Sequence, residues 1–177
     1  PDAAAGLVLR SEQGLAAVIG DLGADRTPDA ALESVRLLML VNDLRRDATE
    51  GDDAERWPTC LTAAFGPVAV TPDELGDAWV DGQVHLSLDA TRNGQAMGRF
   101  DAAGPHHGFG ARVAHATRAR RLRAGSIIGI RIGGLDASGP ALQAGDTLRF
   151  DVRGRDDHSV FGTIEQTAEL RAAPRPA

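Results

Sequence analysis

An uninterrupted apolar run that ends in an amide and a carboxylate is the feature that most constrains this chain. The run extends from Leu37 to Val41 and is followed at once by Asn42 and Asp43. Continuous apolar residues without helical spacing predict a strand that is buried on both faces. Such a strand would deliver the Asp43 carboxylate to the mouth of a core, where rigid sites are usually built. The plainer interpretation is that Asp43 only caps a loop.

Local signals outline the remaining elements. Thr27 and Pro28 predict the start of a short helix over 30–35, and a second helix is predicted over 107–123. Asn93-Gly94 predicts a tight hairpin turn. Further strands are predicted over residues 65–70, 84–89, 127–132, 147–152 and 160–164. We expect residues 1–170 to form a single domain and residues 171–177 a flexible tail.

Composition excludes several classes of function. The net charge of −6 argues against a nucleic-acid partner, and no apolar run approaches the length of a membrane span. One cysteine rules out an internal disulfide framework and fits a reducing compartment, so a cytoplasmic location without a signal peptide is expected. All 19 basic residues are arginine and tyrosine is absent, which excludes lysine Schiff bases, lysine general bases and tyrosine acids.

Several short segments follow one another in a characteristic order. They are residues 36–43, Phe65-Gly66-Pro67 with the residues up to 75, Asn93-Gly94, Arg123-Ala124-Gly125-Ser126, Ala144-Gly145-Asp146 and Phe161-Gly162-Thr163. Together they resemble the catalytic domain of the fumarylacetoacetate hydrolase family over most of residues 7–170. The resemblance implies an α+β fold of mixed β-sheets rolled into a β-sandwich with a few short helices, usually dimeric. It also implies cleavage of C–C bonds in diketo acids, or decarboxylation, hydration or tautomerisation of oxo acids, with Mg²⁺ or Ca²⁺.

The resemblance also implies a set of site residues, and several of them have changed. The first metal-binding glutamate of the family matches Glu12 and the strand-end aspartate matches Asp43, whereas the second glutamate matches Gly14. The family lysine falls on Cys60, and a threonine that holds the substrate falls on Ile132. With only Glu12 and Asp43 left as ligands, we expect any Mg²⁺ to be bound weakly.

Other candidates come from residue type and position. The resemblance implies an arginine after the strand-end aspartate that receives a substrate carboxylate, and Arg45 or Arg46 could serve; Arg131 is a further binding candidate. His106 and His107 are candidate acid–base groups, although a histidine at a helix start is more often a solvated cap. Cys60 is a candidate nucleophile, and a buried inert thiol is the alternative.

Two functions from different classes remain open. In the first, the chain is an altered enzyme, a hydrolase, lyase or isomerase that acts on or binds a small oxo acid or diketone-like molecule. In the second, it is a non-catalytic structural or binding subunit that pairs with itself or with an intact relative. A homodimer is expected in either case, because the strands over 36–41 and 127–132 supply more apolar surface than a chain of 177 residues readily covers.

Overall fold

The computed structural model describes residues 9–46, 60–103, 108–132 and 141–169. Within these ranges the chain forms mainly antiparallel strands, with two short α-helices and one 3₁₀ segment. In chain order the elements are β1 (Leu9–Ile19), α1 (Pro28–Leu32), β2 (Val35–Arg46), β3 (Cys60–Val70), the 3₁₀ segment (Pro72–Ala78), β4 (Trp79–Val80), β5 (Gln83–Val84), β6 (Ser87–Arg92), β7 (Gln95–Asp101), α2 (Phe109–Thr117), β8 (Ser126–Arg131), β9 (Thr147–Arg153) and β10 (Ile164–Thr167).

Two four-stranded sheets form the body of the fold. The first sheet has the strand order β3-β2-β1-β8 and the second has the order β10-β9-β6-β7, while β4 and β5 pair separately. Fully buried side chains from both sheets, among them Leu15, Leu38, Leu88 and Phe150, belong to one hydrophobic core. The predicted α+β sandwich with few helices is therefore confirmed.

The apolar run of β2 is buried on one face rather than two. Leu38 and Leu40 are completely buried in the core, whereas Leu37 and Met39 on the opposite face are only partly buried. The same holds for β8, where Ile130 is buried and Ile127 is 49 % exposed. Val41, which lines the cavity described below, is an exception on the outer face because it is buried. The prediction of two-sided burial was therefore wrong for most of the β2 run.

Local signals located the helix start and the hairpin correctly. The Thr27 hydroxyl accepts a hydrogen bond from the Ala30 backbone N–H, and Pro28 begins α1, as predicted. Asn93 and Gly94 both have positive φ angles, 53° and 75°, and join β6 to β7. Positive φ at both central residues is what a tight two-residue hairpin requires, and Asn-Gly tolerates it.

Several predicted boundaries were wrong. The helix predicted over 30–35 ends at Leu32, and Val35 already begins β2. The strand predicted over 84–89 is divided between β5 and β6. The helix predicted over 107–123 ends at Thr117. Beyond it the chain turns back so that Leu122 forms a bridge with Leu22, and the arginines that follow the helix lie outside it. The strand predicted over 160–164 begins only at Ile164, because residues 160–161 form a bend and Gly162 has a positive φ of 69°. None of the described helices is long and apolar enough to cross a membrane.

Candidate functional site

Strand register brings Glu12 and Asp43 to one face of the first sheet. They are direct cross-strand partners in the antiparallel pair of β1 and β2. Direct partners project to the same side of a sheet, and this side is the outer one, since Gln13 and Asn42 beside them are buried in the interior. Both carboxylates line a cavity of about 380 Å³. The structure thus places the two predicted ligands in a common pocket.

Two arginines hold the Glu12 carboxylate. Arg45 donates from Nη1 to Glu12 Oε2 at 2.7 Å, and Arg131 donates from Nη1 to Glu12 Oε1 at 2.7 Å. β1 lies between β2 and β8, so the two guanidinium groups reach Glu12 from opposite neighbouring strands. Each carboxylate oxygen therefore has its own cationic donor.

Asp43 lies in a different electrostatic environment. Burial is the main reason why the pKa of its carboxyl group is raised, and the nearby Glu12 charge adds to that rise. The Arg45 guanidinium opposes it by stabilising the charged form. A carboxyl group with a raised pKa beside a cavity is suited to accept and return a proton.

The backbone of the neighbouring strand leaves room only for glycine at position 14. A Cβ atom at this position would lie 2.2 Å from the Ile130 carbonyl oxygen and 3.2 Å from Arg131 Cα. Those atoms belong to β8, which pairs with β1 at this point. The position matched to the second family glutamate therefore has no room for any side chain in this structure.

The inner face beneath the cavity carries a buried polar cluster. Ser11 Oγ donates to Asn42 Oδ1 at 2.6 Å, and Asn42 Nδ2 donates to Gln166 Oε1 at 2.6 Å, which ties β1, β2 and β10 together. Asn42 is completely buried, so it anchors the strand end on which Asp43 projects outward. Gln13 also lines the cavity, and its amide atoms have no hydrogen-bond partner among the described residues.

Sequence reasoning missed one charged residue of this cavity. Arg112 of α2 lines it together with Arg45 and Arg131, so three arginines accompany the two carboxylates. Arg112 was predicted to be helical, but only the packing of α2 beside the first sheet brings it to Glu12. No local sequence signal distinguishes it from the other arginines of that region.

The other predicted site residues have varied positions. Cys60 begins β3, where its backbone pairs with Arg45, and Arg46 ends β2, where its backbone pairs with Leu9. His106 and His107 lie outside the described residues. The Ile132 side chain is completely buried in the core, so that position does not present a side chain to the cavity. These roles remain predictions.

A family comparison agrees with this geometry. The family model of the fumarylacetoacetate (FAA) hydrolase C-terminal domain matches residues 3–169. The chain belongs to this family. Membership accounts for the α+β sandwich. No curated protein sequence matches the chain at a significant level.

Solved structures share the fold at low sequence identity. A fumarylacetoacetate hydrolase from psychrophilic Exiguobacterium antarcticum is 23 % identical with a TM-score of 0.69, over 93 % of this chain and 57 % of that one. A 5-carboxymethyl-2-hydroxymuconate delta-isomerase from Mycobacterium smegmatis is 22 % identical with a TM-score of 0.68, over 94 % and 61 %. A fumarylpyruvate hydrolase from Pseudomonas aeruginosa, solved in complex with Mn²⁺ and pyruvate, is 18 % identical with a TM-score of 0.69, over 97 % and 70 %. The chain thus spans about three fifths of the first two relatives.

The described residues of this FAA hydrolase domain do not fit a divalent cation. A hard cation is usually held by several oxygen ligands, carboxylates foremost. Here both oxygens of Glu12 accept from arginine, and Gly14 supplies no ligand. Within the described ranges no group of three or more His, Cys, Asp or Glu residues converges on a metal position.

Proposed function

We propose that this FAA hydrolase domain binds a small anionic oxo acid in the cavity beside Glu12 and Asp43. The observation that carries the proposal is the charge of the lining, in which Arg45, Arg112 and Arg131 outnumber the two carboxylates. A cavity with an excess of positive charge favours an anion. Its volume of about 380 Å³ lies near the lower end of the range for small-molecule sites, roughly 300–1,000 Å³.

The residues can be assigned separate tasks within this proposal. Arg112 and Arg131 receive the carboxylate of the ligand, because guanidinium groups match carboxylates with paired donors. Arg45 holds Glu12 and closes the β2 side of the cavity. Asp43 faces the ligand and exchanges a proton with a keto or enol group. Any Mg²⁺ that enters would be held weakly, because the Glu12 oxygens are already engaged.

Relatives support the ligand class. The Pseudomonas aeruginosa fumarylpyruvate hydrolase was solved with pyruvate, a small oxo acid. A maleylpyruvate hydrolase from Sphingobium sp. SYK-6 also shares the fold, at 19 % identity and a TM-score of 0.69 over 95 % of this chain. The names of both enzymes refer to oxo acids, and the arginine-rich cavity of this chain suits the same chemical class.

Replacing Arg131 by glutamine is expected to weaken pyruvate binding. The Arg131 side chain is 60 % exposed, so its loss should leave folding nearly unchanged, because exposed ion pairs contribute little to stability. A hydrogen bond to a charged group is worth about 1.5–3 kcal/mol, so the affinity should fall roughly tenfold to a hundredfold. Isothermal titration calorimetry with pyruvate measures the change.

Arg120→Gln is the matched control for this test. Arg120 is exposed and follows α2, but it is not among the residues that line the cavity. The Arg120→Gln substitution removes the same charge from the chain as Arg131→Gln does. A general effect of net charge would therefore weaken pyruvate binding in both variants. Equal affinity in wild type and Arg131→Gln, with intact folding by circular dichroism, would count against the proposed site.

The outer face of the first sheet favours a second candidate function, that of a self-pairing subunit. Beyond the cavity this face is apolar, with a row formed by Val18, Leu37 and Ile127. The outer face of the second sheet carries ion pairs instead, such as Arg99 with Asp89 and Arg153 with Asp151. An apolar patch on one sheet and charges on the other are typical of a protein–protein contact on the apolar side.

We expect the wild-type chain to be a homodimer and Ile127→Arg to be a monomer. Ile127 is 49 % exposed, so a charge there should be tolerated in the monomer but should weaken a contact through this face by roughly tenfold or more. Light scattering at micromolar concentration measures the mass. Val80→Arg is the control, because Val80 is 45 % exposed but belongs to the small sheet of β4 and β5. A monomeric wild type would contradict the self-pairing function.

A further inference from the structure

Two arginines flank Glu12 at the position that the family resemblance assigns to a metal ligand. Glu12 lies on the central strand β1, with Arg45 on β2 at one side and Arg131 on β8 at the other. Each of its oxygens accepts a hydrogen bond of 2.7 Å from a different guanidinium. We infer that these two guanidinium groups occupy the role of a divalent cation beside Glu12, so that the site binds its anion directly and without metal.

The charges of the cavity lining support the inference that two guanidinium groups take the role of a divalent cation. A carboxylate cage attracts Mg²⁺ or Mn²⁺ through its accumulated negative charge. In this cavity the negative charge of Glu12 is shared between two cations, and a third cation, Arg112, lies on the same lining. A divalent ion entering the cavity would meet the arginines at close range, where like charges repel strongly. The same lining that rejects a cation attracts a carboxylate.

Hydrogen-bond geometry shows how the arginines can serve a ligand. A guanidinium carries five N–H donors in a planar fork, and Arg131 uses its Nη1 on Glu12. No other hydrogen bond of the Arg131 side chain is recorded within the described ranges, and Arg112 forms no ion pair there. Glu12 therefore acts as a positioning residue that orients Arg131, which lines the cavity and keeps further N–H donors for a ligand. Such a preset donor pair replaces the chelation that a metal would provide.

The inference predicts opposite effects of one substitution on two ligands. Arg131→Gln frees one oxygen of Glu12 and removes a positive charge, so Mn²⁺ affinity should rise roughly tenfold or more. The same change should lower pyruvate affinity, and this part of the inference rests on the proposed function. Arg112→Gln is the matched control. It removes an equal charge from the same lining without freeing Glu12, and it should raise Mn²⁺ affinity by less than about threefold.

Two measurements on the purified chain test the inference. Mn²⁺ alone is titrated into wild type, Arg131→Gln and Arg112→Gln, and binding is followed by electron paramagnetic resonance of the free ion. Pyruvate, which chelates Mn²⁺ only weakly by itself, is titrated calorimetrically into wild type with EDTA and again with Mn²⁺. We expect no Mn²⁺ binding to wild type below millimolar concentration, a clear gain in Arg131→Gln, and equal pyruvate affinity with and without the metal.

Results that contradict this inference can be distinguished from results that contradict the proposed function. Micromolar Mn²⁺ binding by wild type, or pyruvate binding that requires Mn²⁺, would overturn the inference. The inference would also be overturned if Arg131→Gln bound Mn²⁺ no more tightly than wild type. The arginines would then not be what prevents the Glu12 oxygens from binding the ion. If pyruvate binds under neither condition, the proposed function has failed, and the Mn²⁺ titrations alone then decide whether the arginines exclude the cation.

Discussion

Replacing Gly14 by glutamate is expected to disrupt the first sheet rather than to complete a metal site. A Cβ atom at position 14 would lie 2.2 Å from the Ile130 carbonyl oxygen and 3.0 Å from the Ile130 carbonyl carbon. Both are backbone atoms of β8, so a side-chain rotation cannot relieve the clash. Either β8 must move away from β1, with loss of its ladder hydrogen bonds, or the chain must unfold.

The loss of stability should already appear in Gly14→Ala, which adds only the Cβ atom. Overpacking of this kind costs about 1–3 kcal/mol and sometimes more, and broken backbone hydrogen bonds add to it, at about 1 kcal/mol each. We expect Gly14→Ala to lower the free energy of unfolding by roughly 3 kcal/mol, and Gly14→Glu to lower it at least as far. Urea denaturation followed by circular dichroism measures both variants.

Gly129→Ala provides the matched control on the neighbouring strand. Gly129 lies in β8 of the same sheet, and the nearest atom to an added Cβ is the Leu15 carbonyl oxygen at 3.9 Å. That is ordinary contact, so this variant should stay within about 0.5 kcal/mol of wild type. A Gly14→Ala variant as stable as Gly129→Ala would show that β8 yields easily and that the glycine is not imposed by the backbone.

Features that depend on neighbouring residues were predictable from the sequence. Thr27 caps α1 because its hydroxyl reaches a backbone N–H three residues away, which is a local geometry. Asn93-Gly94 forms a hairpin turn because both residues tolerate positive φ. The apolar run of β2 did form a strand, and it carries Asp43 near its end. For the helix cap and the hairpin turn, the deciding contact lies within a few residues along the chain.

Features that depend on distant residues were not predictable in the same way. The family resemblance implied that Glu12 is a metal ligand, but its partners Arg45 and Arg131 are 33 and 119 positions away. Only the order of β2, β1 and β8 in the sheet brings these side chains together. The one-sided burial of Ile127 and the position of Arg112 have the same origin, since both depend on which layer covers a face. The order of residues along the chain shows which side chains are polar, but it does not show which distant residue forms a hydrogen bond with each of them.

The second large effect concerns catalysis. We expect turnover of acetylpyruvate and oxaloacetate by the wild-type chain to stay below about 10⁻² s⁻¹ even with Mg²⁺ or Mn²⁺, far under the roughly 1–10³ s⁻¹ of ordinary enzymes. The Glu12 oxygens are engaged by arginine, and Gly14 cannot carry a ligand. The position matched to the family lysine is Cys60. One well-placed electrostatic group is commonly worth about 10²-fold in rate, and the family resemblance implies that more than one has been replaced here.

These losses act on one transition state, so their effects cannot simply be multiplied. Asp43 is suited to proton transfer, because burial raises the pKa of its carboxyl group. The assay therefore compares wild type with Asp43→Asn, follows loss of the enol absorbance of acetylpyruvate and of oxaloacetate, and subtracts the rate with metal alone. An active member of the family serves as the positive control. Turnover near 1 s⁻¹ or above that disappears in Asp43→Asn would refute the expectation. It would show that the chain performs the family's chemistry through Asp43 although Cys60 stands at the position matched to the family lysine.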